Sequence, residues 1–216
     1  MRPLVAICLL IGLAAPLAAQ PSRVTQAEAD AFSIRAEGFF TGQWFSASQT
    51  FDAVFGSAFG PFVGGGVVLE EKGFFFDVNA SHFSKTGQRA FVSNGQAFPL
   101  GIPLTASLTP VEVTFGYRFR RREPIMPYLG AGFGAYSYSE TSPSNAAGED
   151  VDAHHAGYLF VGGAEFRIHR LVGIAADIQY TGIPGILGNG GISQAFGETN
   201  LGGTAFHIKV LVGKGR

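Results

Sequence analysis

The chain has 216 residues, of which 31 are glycine and 21 phenylalanine, while charged residues make up only 14% and the formal net charge is −1. A near-neutral chain without a basic stripe gives no footing for nucleic acid. The single cysteine, Cys8, lies inside the first apolar run, which excludes disulfides and cysteine–metal chemistry from everything after it.

Residues 1–19 have the pattern of a secretory signal. Arg2 supplies the positive start, residues 4–17 are apolar, and Leu17-Ala18-Ala19 offers small residues for cleavage before Gln20. A membrane-spanning helix would need about 20 apolar residues, and neither this run nor any later one reaches that length. The polar stretch 20–31 is expected to be a periplasmic leader, leaving 32–216 as one domain.

From there the periodicity is close to two, the mark of strands. Residues 33–46 and 59–69 form the first two segments. In the third, Phe74, Phe76, Val78 and Ala80 oppose Asp77, Asn79 and Ser81. In the fourth, Val111, Val113, Phe115, Tyr117 and Phe119 oppose Glu112, Thr114, Gly116 and Arg118. The fifth (126–139) is rich in glycine, read as room for large neighbours, and the sixth spans 154–167. Val172, Ile174, Ala176, Ile178 and Tyr180 then oppose Gly173, Ala175, Asp177 and Gln179 in the seventh. The eighth sets Phe206, Ile208, Val210 and Val212 against His207, Lys209 and Leu211.

Short turns at 70–73, 120–124 and 168–170 alternate with longer gaps at 47–58, 84–107, 140–152 and 181–200. Tight turns at one end and long loops at the other predict an eight-stranded antiparallel up-and-down transmembrane β-barrel in an outer membrane. An ionised Arg or Lys facing lipid at mid-membrane costs roughly 2–4 kcal/mol. The charged face is therefore assigned to the lumen, as a network of Arg35, Glu37, Asp77, Glu112, Arg118, Glu165, Arg167, Asp177 and Lys209. Eight strands leave an interior just wide enough for side chains, so a filled core is expected. Aromatics near strand ends (Trp44, Phe45, Phe83, Phe119, Tyr128, Tyr138 and Tyr180) are expected to form the interfacial girdles.

The fifth segment, Pro127-Tyr128-Leu129-Gly130-Ala131-Gly132-Phe133-Gly134-Ala135, is one of three carriers of a family resemblance. The others are residues 157–167, centred on Gly162-Gly163-Ala164-Glu165, and the alternating last strand. On these the chain resembles the small outer-membrane β-barrel family that includes the OmpA membrane domain, OmpX and OmpW-like proteins. The resemblance implies a monomer in outer-membrane lipid and lipopolysaccharide, inserted by the barrel-assembly machinery. The chain closes on Gly213-Lys214-Gly215-Arg216, where family members usually carry an aromatic residue. Members serve as adhesins, anchors, narrow channels for small apolar molecules or lipid-modifying enzymes, and fold alone does not choose among them.

Four local patterns bear on that choice. Gly130–Ala135 matches G-x-G-x-x-A, but the alternation runs on and no helix opens there, so a nucleotide is not expected. Glu149, Asp150, Asp152, His154 and His155 cluster without a defined metal spacing and read as a solvated loop. His82-Phe83-Ser84 resembles the His-x-Ser of an outer-membrane lipid A deacylase, but it lies early in the chain, is followed by Lys85 and lacks a third member. The apolar stretches 90–92, 98–104 and 183–187 suit loops that pack at the barrel mouth or bind a surface ligand. The expectation is a non-enzymatic barrel without cofactor or metal, acting in envelope structure or surface interaction. A narrow channel for small hydrophobic molecules is the alternative, and a lipid-modifying enzyme stands further behind.

Overall fold

The computed structural model describes residues 31–142 and 151–214. The signal, most of the leader, and Glu149 and Asp150 of the acidic–histidine cluster fall outside the described residues. Eight antiparallel strands run in chain order: β1 (Ser33–Phe45), β2 (Phe59–Glu71), β3 (Phe74–Ser93), β4 (Gln96–Arg118), β5 (Ile125–Thr141), β6 (Val151–His169), β7 (Val172–Gly182) and β8 (Gly203–Lys214). Each pairs with the next, and β8 returns to β1, from Phe45 against Gly203 to Ile34 against Lys214, which closes the barrel.

Alternation is the local cause of this architecture. In β1 Ser33, Arg35, Glu37, Phe39, Thr41, Gln43 and Phe45 turn inward, and Ile34, Phe40 and Trp44 turn outward. The exposed set is the greasy one: Phe74 is 69% exposed, Leu129 62% and Phe133 60%. An apolar exterior around a polar interior inverts a soluble protein and fits a lipid surround. No helix among the described residues is long and apolar enough to cross a membrane.

The long gaps hold more structure than expected. Residues 84–107 do not form a loop: β3 and β4 continue as a paired hairpin to Asn94-Gly95, whose φ values of +52° and +75° suit a tight type I′ turn. Pro99 and Pro103 hid this extension in the sequence. They lie beyond Thr105, the last β4 residue paired with β5, where losing a ladder hydrogen bond costs least. The gap after β1 contains helix α1 (Ser48–Phe55), and the gap after β7 contains the short helix α2 (Gly191–Phe196).

Inward glycines set the shape of the narrow interior. A Cβ on Gly116 would lie 2.3 Å from both the Phe75 ring and the Leu129 carbonyl oxygen. Outward Gly38 has no atom within 4 Å of the same position. Gly116→Val should therefore abolish refolding in detergent, followed by heat-modifiable electrophoretic mobility, whereas Gly38→Ala should refold like the parent.

Candidate functional site

All nine charged residues assigned to the lumen lie on inward faces and are buried, as are Glu70 and His207. They fall into layers. At the turn end, Arg35 makes a two-pronged pair with Glu165, Nη1 to Oε1 at 2.5 Å and Nη2 to Oε2 at 3.0 Å. Its Nη2 also lies 3.4 Å from Glu70 Oε2. Arg118 closes the square, with Nε 3.2 Å from Glu70 Oε2 and Nη1 bonded to Glu165 Oε2. Two carboxylates thus alternate with two guanidiniums from β1, β2, β4 and β6. The Arg118 guanidinium also lies 5.3 Å from the Phe75 ring centre and 5.1 Å from that of Tyr128, within cation–π range. Arg167 stands apart from the square and donates to the Arg121 carbonyl at 3.0 Å and to Met126 Sδ at 2.9 Å.

The next layer centres on Asp177. It accepts from Tyr128 Oη at 2.5 Å, and its carboxylate lies 2.6 Å from His207 Nδ1 and 3.3 Å from Lys209 Nζ. Lys209 is also 3.9 Å from Glu37. Asp77 is buried on β3 and lines the same small cavity as Glu37, Tyr128 and Lys209. Above it, Glu112 accepts from Tyr136 Oη at 2.7 Å and from Gln179 Nε2 at 3.1 and 3.2 Å. Two small cavities, about 10 and 20 Å³, lie among these side chains, room for about one water each.

The mouth is apolar. Phe51 of α1 stacks on Phe45 with ring centres 4.1 Å apart, and Phe83 lies 5.2 Å from Phe45 and 5.1 Å from Phe62. Leu108, Tyr138, Ile183 and Leu201 belong to the same cluster. The N-terminus of α1 lacks a side-chain cap from its own residues. Glu198, from the loop before β8, takes that place: its carboxylate accepts from Gln49 N at 3.0 Å and Thr50 N at 2.8 Å. One acidic side chain therefore joins the first and last extracellular loops over the opening.

Several residues are not where sequence reasoning placed them. Phe45, Phe83, Tyr128 and Tyr138 were expected in the interfacial girdles but point inward and are buried, because strand parity decides the face. Trp44, Phe119 and Tyr180 are exposed on the outer wall. Glu70, at the start of the expected 70–73 turn, is instead an inward residue of β2. Its signal was the parity of β2, in which Phe62, Val68 and Glu70 share the inner face. The tyrosine partners of Asp177 and Glu112 carried the same signal in β5, through Met126, Tyr128, Tyr136 and Tyr138.

His82 and Ser84 share the outer face of β3, yet they do not bond to each other. His82 Nδ1 lies 3.0 Å from Thr109 Oγ1, and Ser84 Oγ accepts from Ser107 Oγ at 3.2 Å. Asp152 Oδ1 is 3.6 Å from His154 Nε2 on the outer face of β6, and His155 has the opposite parity. No group of three or more potential metal ligands gathers among the described residues.

A closed eight-stranded barrel with apolar exterior, charged interior, short turns at one end and long hairpins at the other defines a transmembrane up-and-down barrel. Residues 5–212 match the model of the outer membrane protein β-barrel domain, and the chain belongs to that family. It is accordingly a protein of the outer membrane. No curated protein matches it in sequence. In fold it is similar to Neisserial surface protein A, at 16% identity and a TM-score of 0.56, with 84% of this chain and 96% of that one covered. It is also similar to OprG from Pseudomonas aeruginosa, at 12% identity and a TM-score of 0.52, covering 84% and 93%. At these identities the likeness is one of fold.

Removing one member of a buried, paired set leaves the others charged and unpaired, at a cost of about 3–5 kcal/mol. Glu165→Gln should lower the stability of the refolded barrel by that order, measured as a shift in its urea midpoint in detergent. Glu71→Gln, at the exposed end of β2 next to Glu70, should leave the midpoint unchanged.

Proposed function

We propose that this protein is a non-enzymatic, non-conducting barrel that contributes to envelope structure and offers its extracellular hairpin and loops for surface interactions. The observation that carries this reading is the occupied lumen. The Arg35–Glu165–Arg118–Glu70 square fills the turn end, the Asp177 and Glu112 clusters fill the middle, and the Phe45–Phe51–Phe83 cluster under α1 fills the mouth. The two cavities among these charged side chains are of single-water size and do not themselves make a path for ions. The non-enzymatic reading is supported by the separate partners of His82 and Ser84, which leave the serine without an adjacent base. The monomeric reading is supported by the closed ladder, which leaves no strand edge at membrane depth for another copy.

The apolar mouth favours one alternative, a narrow conduit that receives small hydrophobic molecules between α1 and the rim. Conductance of the refolded chain in a planar bilayer tests the first reading. The expected record is silent, and discrete openings would overturn it. Deleting Ser48–Phe55 separates the two readings. The bilayer should stay silent, because the charged square lies below the mouth. Faster uptake of a small hydrophobic probe into vesicles carrying the deletion variant would favour the conduit.

A further inference from the structure

The outer wall of β3 and β4 changes character abruptly on the way to the extracellular side. Phe74, Phe76, Val78 and Ala80 face outward on β3 and are followed by His82, Ser84 and Thr86. On β4, Phe115, Val113 and Val111 give way to Thr109, Ser107 and Thr105. The polar side chains pair rung by rung across the ladder: His82 with Thr109, Ser84 with Ser107, and Thr86 with Thr105 at 2.9 Å. On the β5 side the polar face continues through Ser137, Ser139 and Thr141, the register partners of Thr109, Ser107 and Thr105, whereas on the β2 side it stops. Val63 of β2, the register partner of His82, is followed outward by Pro61 and Phe59, and Phe59 packs on Trp44 with ring centres 5.1 Å apart. A polar face therefore meets an aromatic one at the seam between β2 and β3.

Depth decides what this face touches. At about 3.3 Å per residue and a strand tilt of roughly 40°, the run from Phe74 to His82 rises only about 20 Å. The apolar band of an outer-membrane barrel is about 25 Å tall. His82 and Thr109 thus sit at the outer edge of that band, with Ser84 and Ser107 at its surface. Whatever covers them is continuous with the acyl chains lying on Val78, Val111 and Phe115 below. That is a lipid headgroup rather than a soluble partner.

We propose that the His82–Thr109, Ser84–Ser107 and Thr86–Thr105 face docks the phosphorylated sugar headgroup of lipopolysaccharide. Hydroxyls that both donate and accept match the hydroxyls of a sugar. When the Thr109 hydroxyl donates to His82 Nδ1, the imidazole keeps its proton on Nε2, an outward donor for a phosphate oxygen. Electrostatics do not oppose this: residues 78–111 contain no carboxylate, although Lys85 has the opposite parity to this face and donates to the Ser57 and Phe59 carbonyls instead. No acidic group of the hairpin opposes an anionic headgroup. The inference rests on the outer-membrane placement and holds whether or not the lumen conducts.

The test is native mass spectrometry of the refolded full chain in detergent micelles, titrated with bisphosphorylated lipid A. Folding of every variant is checked by heat-modifiable mobility. The triple variant His82→Leu, Ser84→Ala, Ser107→Ala should bind about tenfold more weakly, the scale of two lost hydrogen bonds. It should also lose the preference for phosphorylated over dephosphorylated lipid A. Trp44→Ala with Phe59→Ala, across the seam, should bind like the parent. Should the triple variant not fold, Ser107→Ala alone should still bind more weakly. Parental affinity in the folded triple variant, or in folded Ser107→Ala where only that variant folds, would overturn the proposal.

Discussion

Two glutamates locked between two arginines, in a lumen with little room for water, are the constraint on which the rest of the barrel depends. A carboxylate or guanidinium withdrawn from bulk water is tolerated only when its partners are close and its hydrogen bonds are made. Arg35, Glu70, Arg118 and Glu165 bring opposite charges within ion-pair distance as a set of four and in no smaller set, because each carboxylate touches both arginines, although the Nε atoms of Arg35 and Arg118 gain no hydrogen bond there. Their strands, β1, β2, β4 and β6, are thereby tied across the interior as well as around the wall. The backbone ladder closes the barrel, and the square determines how its opposite walls sit against each other.

The same economy of space explains the layering above it. Asp177 is held by a tyrosine, a histidine and a lysine, and Glu112 by a tyrosine and a glutamine. Each carboxylate thus has donors from other strands. Glycines such as Gly116 supply the room for the aromatic rings between the layers. Toward the extracellular side the charges run out and phenylalanines take over, because α1 must bury an apolar face and the barrel mouth is the surface available. Glu198 then satisfies the backbone N–H groups that the helix start leaves open.

The outer wall is uneven in a way that an idealised barrel is not. On β1 and β2 the extracellular rim ends in Trp44 and Phe59, whereas β3 and β4 rise far beyond the rim as a hairpin whose tip carries the stacked pair Phe91 and Phe98, 5.3 Å apart. The membrane therefore meets a greasy rim on one side and a hydroxyl-lined wall on the other.

The sequence by itself determined the strand faces. Period-two alternation and the cost of a charge in lipid were enough to place Arg35, Glu165 and the other seven charged residues on inward-facing strand positions, and to set the order of eight strands. It also contained the parity that turns Tyr128, Tyr138 and Glu70 inward, although their place near strand ends suggested girdle and turn. The hairpin at 84–107 stayed hidden because proline and glycine resemble a loop when the pairing across the ladder is not visible. Only the tertiary structure decided which charges pair. Arg35 and Glu165 are 130 residues apart in sequence, and their meeting depends on the stagger between strands and the closure of β8 on β1. No local pattern encodes that relation, because it arises only when the whole ladder has formed.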